Sequence, residues 1–166
     1  MSSTVVRTVT LLGATMTMGF AAGAFALYAH TVMPGLHRTD DRTFVAVFQQ
    51  LDRAIINPWF MLGGFVGALV FTALAAIANR GTDALPWILV ALGLYLVTVV
   101  VTMAVNVPLN DALKAAGDPN TIDVAAARAA FDESKWRTYN LIRTVLAIGS
   151  FGLLGWALYL TGKSAA

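Results

Sequence analysis

Apolar residues come in four nearly unbroken blocks, about 8–29, 58–79, 85–105 and 140–160, and none of the blocks contains Asp, Glu or Lys. As a helix, each block is long enough to cross a hydrocarbon core of about 30 Å, which takes roughly 20 residues. Tyr28, Trp59, Trp87, Trp156 and Tyr159 fall near the block ends, where amphipathic rings prefer the headgroup region. The pattern predicts an all-α fold, a bundle of four transmembrane helices forming a single integral membrane domain over residues 1–166.

The connections are unequal. Residues 80–84 make a tight turn, whereas 30–57 and 106–139 are long enough to carry helices of their own. In the first long connection, Asp40 is placed to cap a helix whose apolar positions Phe44, Phe48, Leu51 and Ile55 recur at helical spacing. This amphipathic helix is expected along the membrane surface. Asn57-Pro58 then reads as an N-cap followed by proline at the first helical position of the second span. In the second long connection, Asp123 is placed to cap Val124 to Trp136. Glu133 and Arg137 support that helix at i, i+4, and it is expected to run straight into the fourth span. Both long connections leave from odd-numbered spans, so they share one side of the membrane.

The first block has a second reading, a cleaved signal peptide, because Arg7 precedes it and Ala22, Ala24 and Ala26 follow. Its apolar stretch exceeds the roughly 7–15 residues of a signal core, and Gly19, Gly23, Ala26 and His30 form one helical stripe. The stripe is expected to be a packing face. Gly19-x-x-x-Gly23 and Gly63-x-x-x-Gly67 have the spacing of close helix approach, and Gly149, Gly152 and Gly155 thin the fourth helix similarly.

Composition agrees with the pattern. The chain is 58% hydrophobic and 12% charged, with a mean hydropathy of +0.71, against roughly 25% charged residues in soluble domains. It has no cysteine, which excludes disulfides, thiolate metal sites and a cysteine nucleophile. A net charge of +2 without a run of like charges gives nucleic-acid binding no support. Arg38, Arg42, Arg53, Lys114, Arg128, Lys135, Arg137 and Arg143 lie on the side of the long connections, against Arg7, Arg80 and Lys163 on the other. The positive-inside rule therefore places the long connections in the cytoplasm and both termini outside.

Candidate chemistry gathers at the same end. Thr98, Thr102 and Asn106 make a polar stripe on the third span, leading into Asn106-Val107-Pro108-Leu109-Asn110. Pro108 cannot donate to the Ala104 carbonyl, which leaves that oxygen free for a side chain, water or ligand. The alternative is that both asparagines cap a broken helix end. Trp136, Asn140 and Arg143 stand at i, i+4 and i+7 on the fourth helix, with Tyr139 beside them. An arginine at the centre of a span costs roughly 2.5–3.5 kcal/mol. Arg143 either snorkels to headgroups or faces the bundle and binds an anion, a carbonyl or a developing oxyanion. His30 ends the stripe of small residues, which should turn it into the bundle as a candidate base or a structural histidine. His30 and His37 without a nearby carboxylate pattern are weak evidence for a metal site, and haem has little support because they do not stand on two facing spans.

Met33-Pro34-Gly35-Leu36, Gln49 to Asn57-Pro58, Asn106-Val107-Pro108-Leu109-Asn110 and Trp136-x-x-Tyr139-Asn140-x-x-Arg143-Thr144, in this order between four spans, resemble the anthrone oxygenase-like family of small membrane proteins. The resemblance covers roughly residues 8–160. It implies the same four-span architecture and an oxygenase-like enzyme that takes a lipophilic tricyclic ketone from the bilayer, some fungal members oxidising an anthrone to an anthraquinone. An anthrone is acidic enough to form an electron-rich enolate that reacts with oxygen directly, which asks for a base, an oxyanion partner and an aromatic wall. On this expectation His30 and Arg143 are catalytic, and Asn106, Asn110, Trp136, Tyr139 and Asn140 bind the substrate. The sequence carries no flavin, nicotinamide or iron-sulfur motif and requires no cofactor. The expected partners are the lipid bilayer and a hydrophobic small molecule or lipid, with a homo-oligomer left open. The competing class is a non-catalytic membrane protein that binds a lipid, small molecule or partner at this polar end. A proton-coupled exporter is disfavoured, since no acid lies within a span.

Overall fold

The computed structural model describes residues 3–163, which are helical almost throughout and contain no strand. In chain order the helices are α1 (Thr4–His37), α2 (Asp41–Ile55), α3 (Pro58–Ala78), α4 (Leu85–Ala115), α5 (Val124–Phe131) and α6 (Glu133–Lys163). Four stretches, α1, α3, α4 and the run of α5 into α6, are long and apolar enough to cross a membrane. The chain is thus a multi-pass membrane bundle. α1 packs on α3 and α6, α4 packs on α6, and α3 touches α4. Exposed Met16, Leu62, Val100 and Val145 point outward, where lipid is their natural solvent.

Alanine brings the spans together. Ala14, Ala21, Ala68, Ala75, Ala91, Ala147 and Ala157 are fully buried with Leu11, Met18, Ile88, Tyr95 and Leu154. The expected glycine faces hold only in part. Gly19 lies against the Phe151 ring and Gly67 against the Leu62 carbonyl and Thr17, but a Cβ on Gly23, Gly63, Gly152 or Gly155 would meet no other atom.

The helix starts read from the sequence are present. Asp40 accepts from the Thr43 amide at 3.0 Å, Asn57 from Phe60 at 3.0 Å and Asp123 from Ala126 at 3.0 Å. Two junctions differ from expectation. The second connection does not run straight into the last span: Asp132 turns left-handed (φ 50°), ending α5, and its carboxylate caps α6 through the Lys135 amide. Nor does the third span break at Pro108, because α4 continues to Ala115.

The reason is a widened turn. Met33 donates its amide five residues back to Tyr28, Val66 to Met61 and Val107 to Thr102, so α1, α3 and α4 each contain one π turn. In α1 and α4 a proline follows at once, Pro34 and Pro108. A proline ring crowds the carbonyl four residues back and offers no donor, and widening the preceding turn lets the helix pass through it. In α3 the turn depends on glycine, since a Cβ on Gly67 would overlap the Leu62 carbonyl oxygen.

Beyond the spans a second apolar core forms. Met33, Leu36, Phe44, Val45, Phe48, Leu113, Phe131 and Trp136 are buried together, so α2 and α5 cap one end of the bundle. Arg128 rivets this cap. It donates to Asp41 at 3.0 Å, to Glu133 at 3.2 Å and to the carbonyls of Thr39 and His37 at 3.0 and 3.2 Å, while lying 4.2 Å over the Phe44 ring. Both long connections therefore occupy the same end of the bundle.

Candidate functional site

A cavity of about 200 Å³ lies between the membrane core and the cap, whereas a single water needs roughly 10–15 Å³. All three π turns reach it, through Tyr28 on α1, Met61 and Phe65 on α3, and Thr102 and Met103 on α4. Such turns re-aim side chains and cluster at functional sites. Phe25, Phe48, Phe60 and Trp136 complete an aromatic lining.

Arg143 supplies the charge. Only 8% of it is exposed, and its guanidinium sits 4.5 Å from the Phe25 ring centre and 5.3 Å from that of Trp136. Its Nε donates to Asn140 Oδ1 at 2.9 Å and one terminal nitrogen reaches Thr102 Oγ1 at 3.5 Å. No carboxylate pairs with it among the described residues. Aromatic faces and two neutral oxygens compensate a buried cation incompletely, so the guanidinium is left with capacity for an anionic or carbonyl oxygen. It does not snorkel.

A second polar group lines the cavity nearer the cap. Trp136 Nε1 donates to Asn110 Oδ1 at 2.7 Å, and Asn110 Nδ2 donates to Asp52 Oδ1 at 2.6 Å. The Lys114 ammonium lies 2.6 Å from Asp52 Oδ2 and 2.9 Å from Asp111. Held at both ends, the Asn110 amide has one orientation, and Asp52, only 7% exposed, is fixed against it. Gln49 fastens α2 to the end of α4 by donating to the carbonyls of Leu113 at 2.8 Å and Gly117 at 3.0 Å.

Of the residues singled out in the sequence, Arg143, Trp136 and Asn110 line the cavity. Asn106 and Asn140 are fully buried behind it, and neither Asn106 nor Asn110 caps a helix end. Asn106 donates to the Trp136 carbonyl at 3.2 Å, and Asn140 donates to the Phe25 carbonyl at 3.2 Å while orienting Arg143. The Asn106 Oδ1 is buried without a partner among the described residues. Tyr139 is half-buried and stands apart from the lining. His30 does not turn into the bundle. It is exposed, with Nδ1 2.6 Å from the Thr31 hydroxyl, and the stripe it ends is not a buried face, since Gly23, seven residues earlier, is itself exposed with no neighbour near it. His37 pairs with Glu133 at 2.9 Å in the cap. Among the described residues no three His, Cys, Asp or Glu side chains gather as metal ligands.

Sequence reasoning missed Asp52, Lys114 and Tyr28. Asp52 carried a signal: Phe44, Val45, Phe48, Gln49 and Asp52 form one buried stripe of α2, so a carboxylate stands in register with an apolar face.

Fold and site together define a four-span membrane bundle with a capped, aromatic-walled cavity and a buried, unpaired guanidinium. The chain belongs to the anthrone oxygenase family, whose model matches residues 53–153. No curated protein and no solved structure matches it. The matched stretch contains Asn106, Asn110, Trp136, Asn140 and Arg143.

Proposed function

We propose that the protein is a membrane-embedded oxygenase of lipophilic aromatic ketones of the anthrone type. The observation that carries this reading is Arg143, buried between two aromatic rings at a cavity wall with no carboxylate paired to it among the described residues. A ring ketone that loses a proton places negative charge on its oxygen, and a guanidinium fixed in advance at that oxygen stabilises the enolate more than the ketone. The electron-rich enolate then reacts with dioxygen. Phe25, Phe60, Phe65 and Trp136 offer a planar polycycle its walls. Ile56 and Met103, at the cavity rim, are 63% and 58% exposed, which supports entry of the substrate sideways from lipid. On the positive-inside rule the capped end belongs to the cytoplasm.

Oxygen uptake by the full chain in detergent, with anthrone as substrate, tests the reading. Arg143→Lys keeps the charge but loses the planar fork. Uptake is expected to fall about 10²–10³-fold with thermal stability held. Full uptake by Arg143→Ala would remove the guanidinium from the chemistry. A wild type that binds anthraquinone but consumes no oxygen would leave a non-catalytic aromatic-binding protein.

A further inference from the structure

The enolate requires a base, and the cavity contains one that neither the family match nor the sequence pattern assigns. Asp52 and Asp111 are the carboxylates among its lining residues. The Asp111 side chain is 60% exposed at the rim, while that of Asp52 is 8% exposed and held by Asn110 and Lys114. In an anthrone the carbonyl and the acidic methylene stand on opposite edges of the central ring, so an oxyanion partner and a base must stand apart with the ring between them. Arg143 and Asp52 both line this cavity. They come from α6 and α2, and Trp136 links them, its ring beside the guanidinium and its indole nitrogen 2.7 Å from the Asn110 oxygen.

Resting on the reading of the cavity as an anthrone site, we propose that the Asp52 carboxylate is the base that removes the methylene proton. The carbon–hydrogen bond breaks, the proton goes to Asp52, and the electron pair passes through the ring to the oxygen held by Arg143. Dioxygen, the oxidant, adds to the methylene carbon, which becomes a hydroperoxide on taking up a proton. Removal of the remaining hydrogen from that carbon as a proton breaks the oxygen–oxygen bond and leaves the second carbonyl, and the departing hydroxide takes that proton to become water. Asp52 serves in both removals, and the proton from the first is available to the peroxide. Asn110 and Lys114 are positioning residues that aim the carboxylate.

Proton removal can be read without oxygen. Under anaerobic conditions in deuterated water, the detergent-solubilised wild type should exchange the methylene hydrogens of anthrone faster than buffer does, as followed by NMR. Asp52→Asn should lose that acceleration about 10²-fold or more while still binding anthraquinone, seen as quenching of tryptophan fluorescence. Where an unpaired Lys114 ammonium prevents folding of that variant, Asp52→Asn with Lys114→Gln removes both charges and carries the same expectation. Exchange at the wild-type rate in either variant overturns Asp52 as the base, and so does a wild type that exchanges no faster than buffer. A wild type that exchanges but consumes no oxygen would overturn the oxygenase reading and leave the base standing. A wild type that consumes oxygen beside an Asp52→Asn variant with undiminished exchange would do the reverse.

Discussion

Replacing Gly67 by alanine is expected to destabilise the bundle, whereas the same change at Gly63, four residues earlier in one Gly-x-x-x-Gly motif, is expected to stabilise it slightly. A Cβ on Gly63 meets nothing within 4 Å, so alanine there mainly reduces the freedom of the unfolded chain, a gain of about 0.5–1 kcal/mol. A Cβ on Gly67 overlaps the Leu62 carbonyl and comes within 3.3 Å of Thr17. The obstacle is backbone, which no rotamer change relieves, and overpacking of this kind costs about 1–3 kcal/mol. At roughly 2–4 °C per kcal/mol for a chain of this size, the melting temperature in detergent should rise by a few degrees for Gly63→Ala and fall by several for Gly67→Ala. Relief by closing the π turn would rotate the start of α3 by about one residue, roughly 100°. Phe60 and Met61 would then leave the cavity, weakening anthraquinone binding. A Gly67→Ala protein that melts at or above the wild type and binds anthraquinone normally would refute the argument.

His30→Ala should leave oxygen uptake with anthrone at the wild-type level, because the imidazole is exposed outside the cavity; a large loss would show that it reaches the site. Because the chain has no cysteine, single substitutions Arg38→Cys, Asn120→Cys and Arg80→Cys report topology directly. A membrane-impermeant thiol reagent should label the first two from one side of sealed vesicles and the third from the other, with the pair expected on the cytoplasmic side. Asp40 supplies a pH dependence. The Thr43 hydroxyl and amide hold its carboxyl below the usual range, so its contribution to α2 is present above the ordinary carboxylate range and is lost as pH falls through the lowered value. Amide exchange in the first turn of α2 should quicken over that acidic interval, and Asp40→Asn should flatten the response.

The four spans were legible because hydrocarbon thickness and helical rise leave few alternatives, and Asp40, Asn57 and Asp123 announced helix starts through local chemistry. Arg143, Asn140 and Trp136 were legible for a similar reason: they share one face of an uninterrupted helix. Spacing alone misleads elsewhere. His30 shares a stripe with Gly19, Gly23 and Ala26, and small residues read as an inward packing face, whereas Gly23 is exposed. Pro108 looks like a helix end because a widened turn has no signature in spacing, although the turn over Thr102–Asn106 lets α4 pass through it. Asp52 was missed for another reason. It stands in register with the apolar stripe of α2, but beside Arg53 a carboxylate reads as solvated, and the partners that hold it, Asn110 and Lys114, lie far along the chain.

A π turn is an α-helix carrying one residue more than its length requires. Among the described residues three such residues are built into the bundle, all at the level of the cavity. Within the family, gain or loss of a single residue at these places would alter which side chains face the cavity without shortening the apolar length that spans the bilayer. Substrate range could thus diversify through one-residue length differences in α1, α3 and α4, and these would register in an alignment as small gaps inside helices where gaps are otherwise penalised.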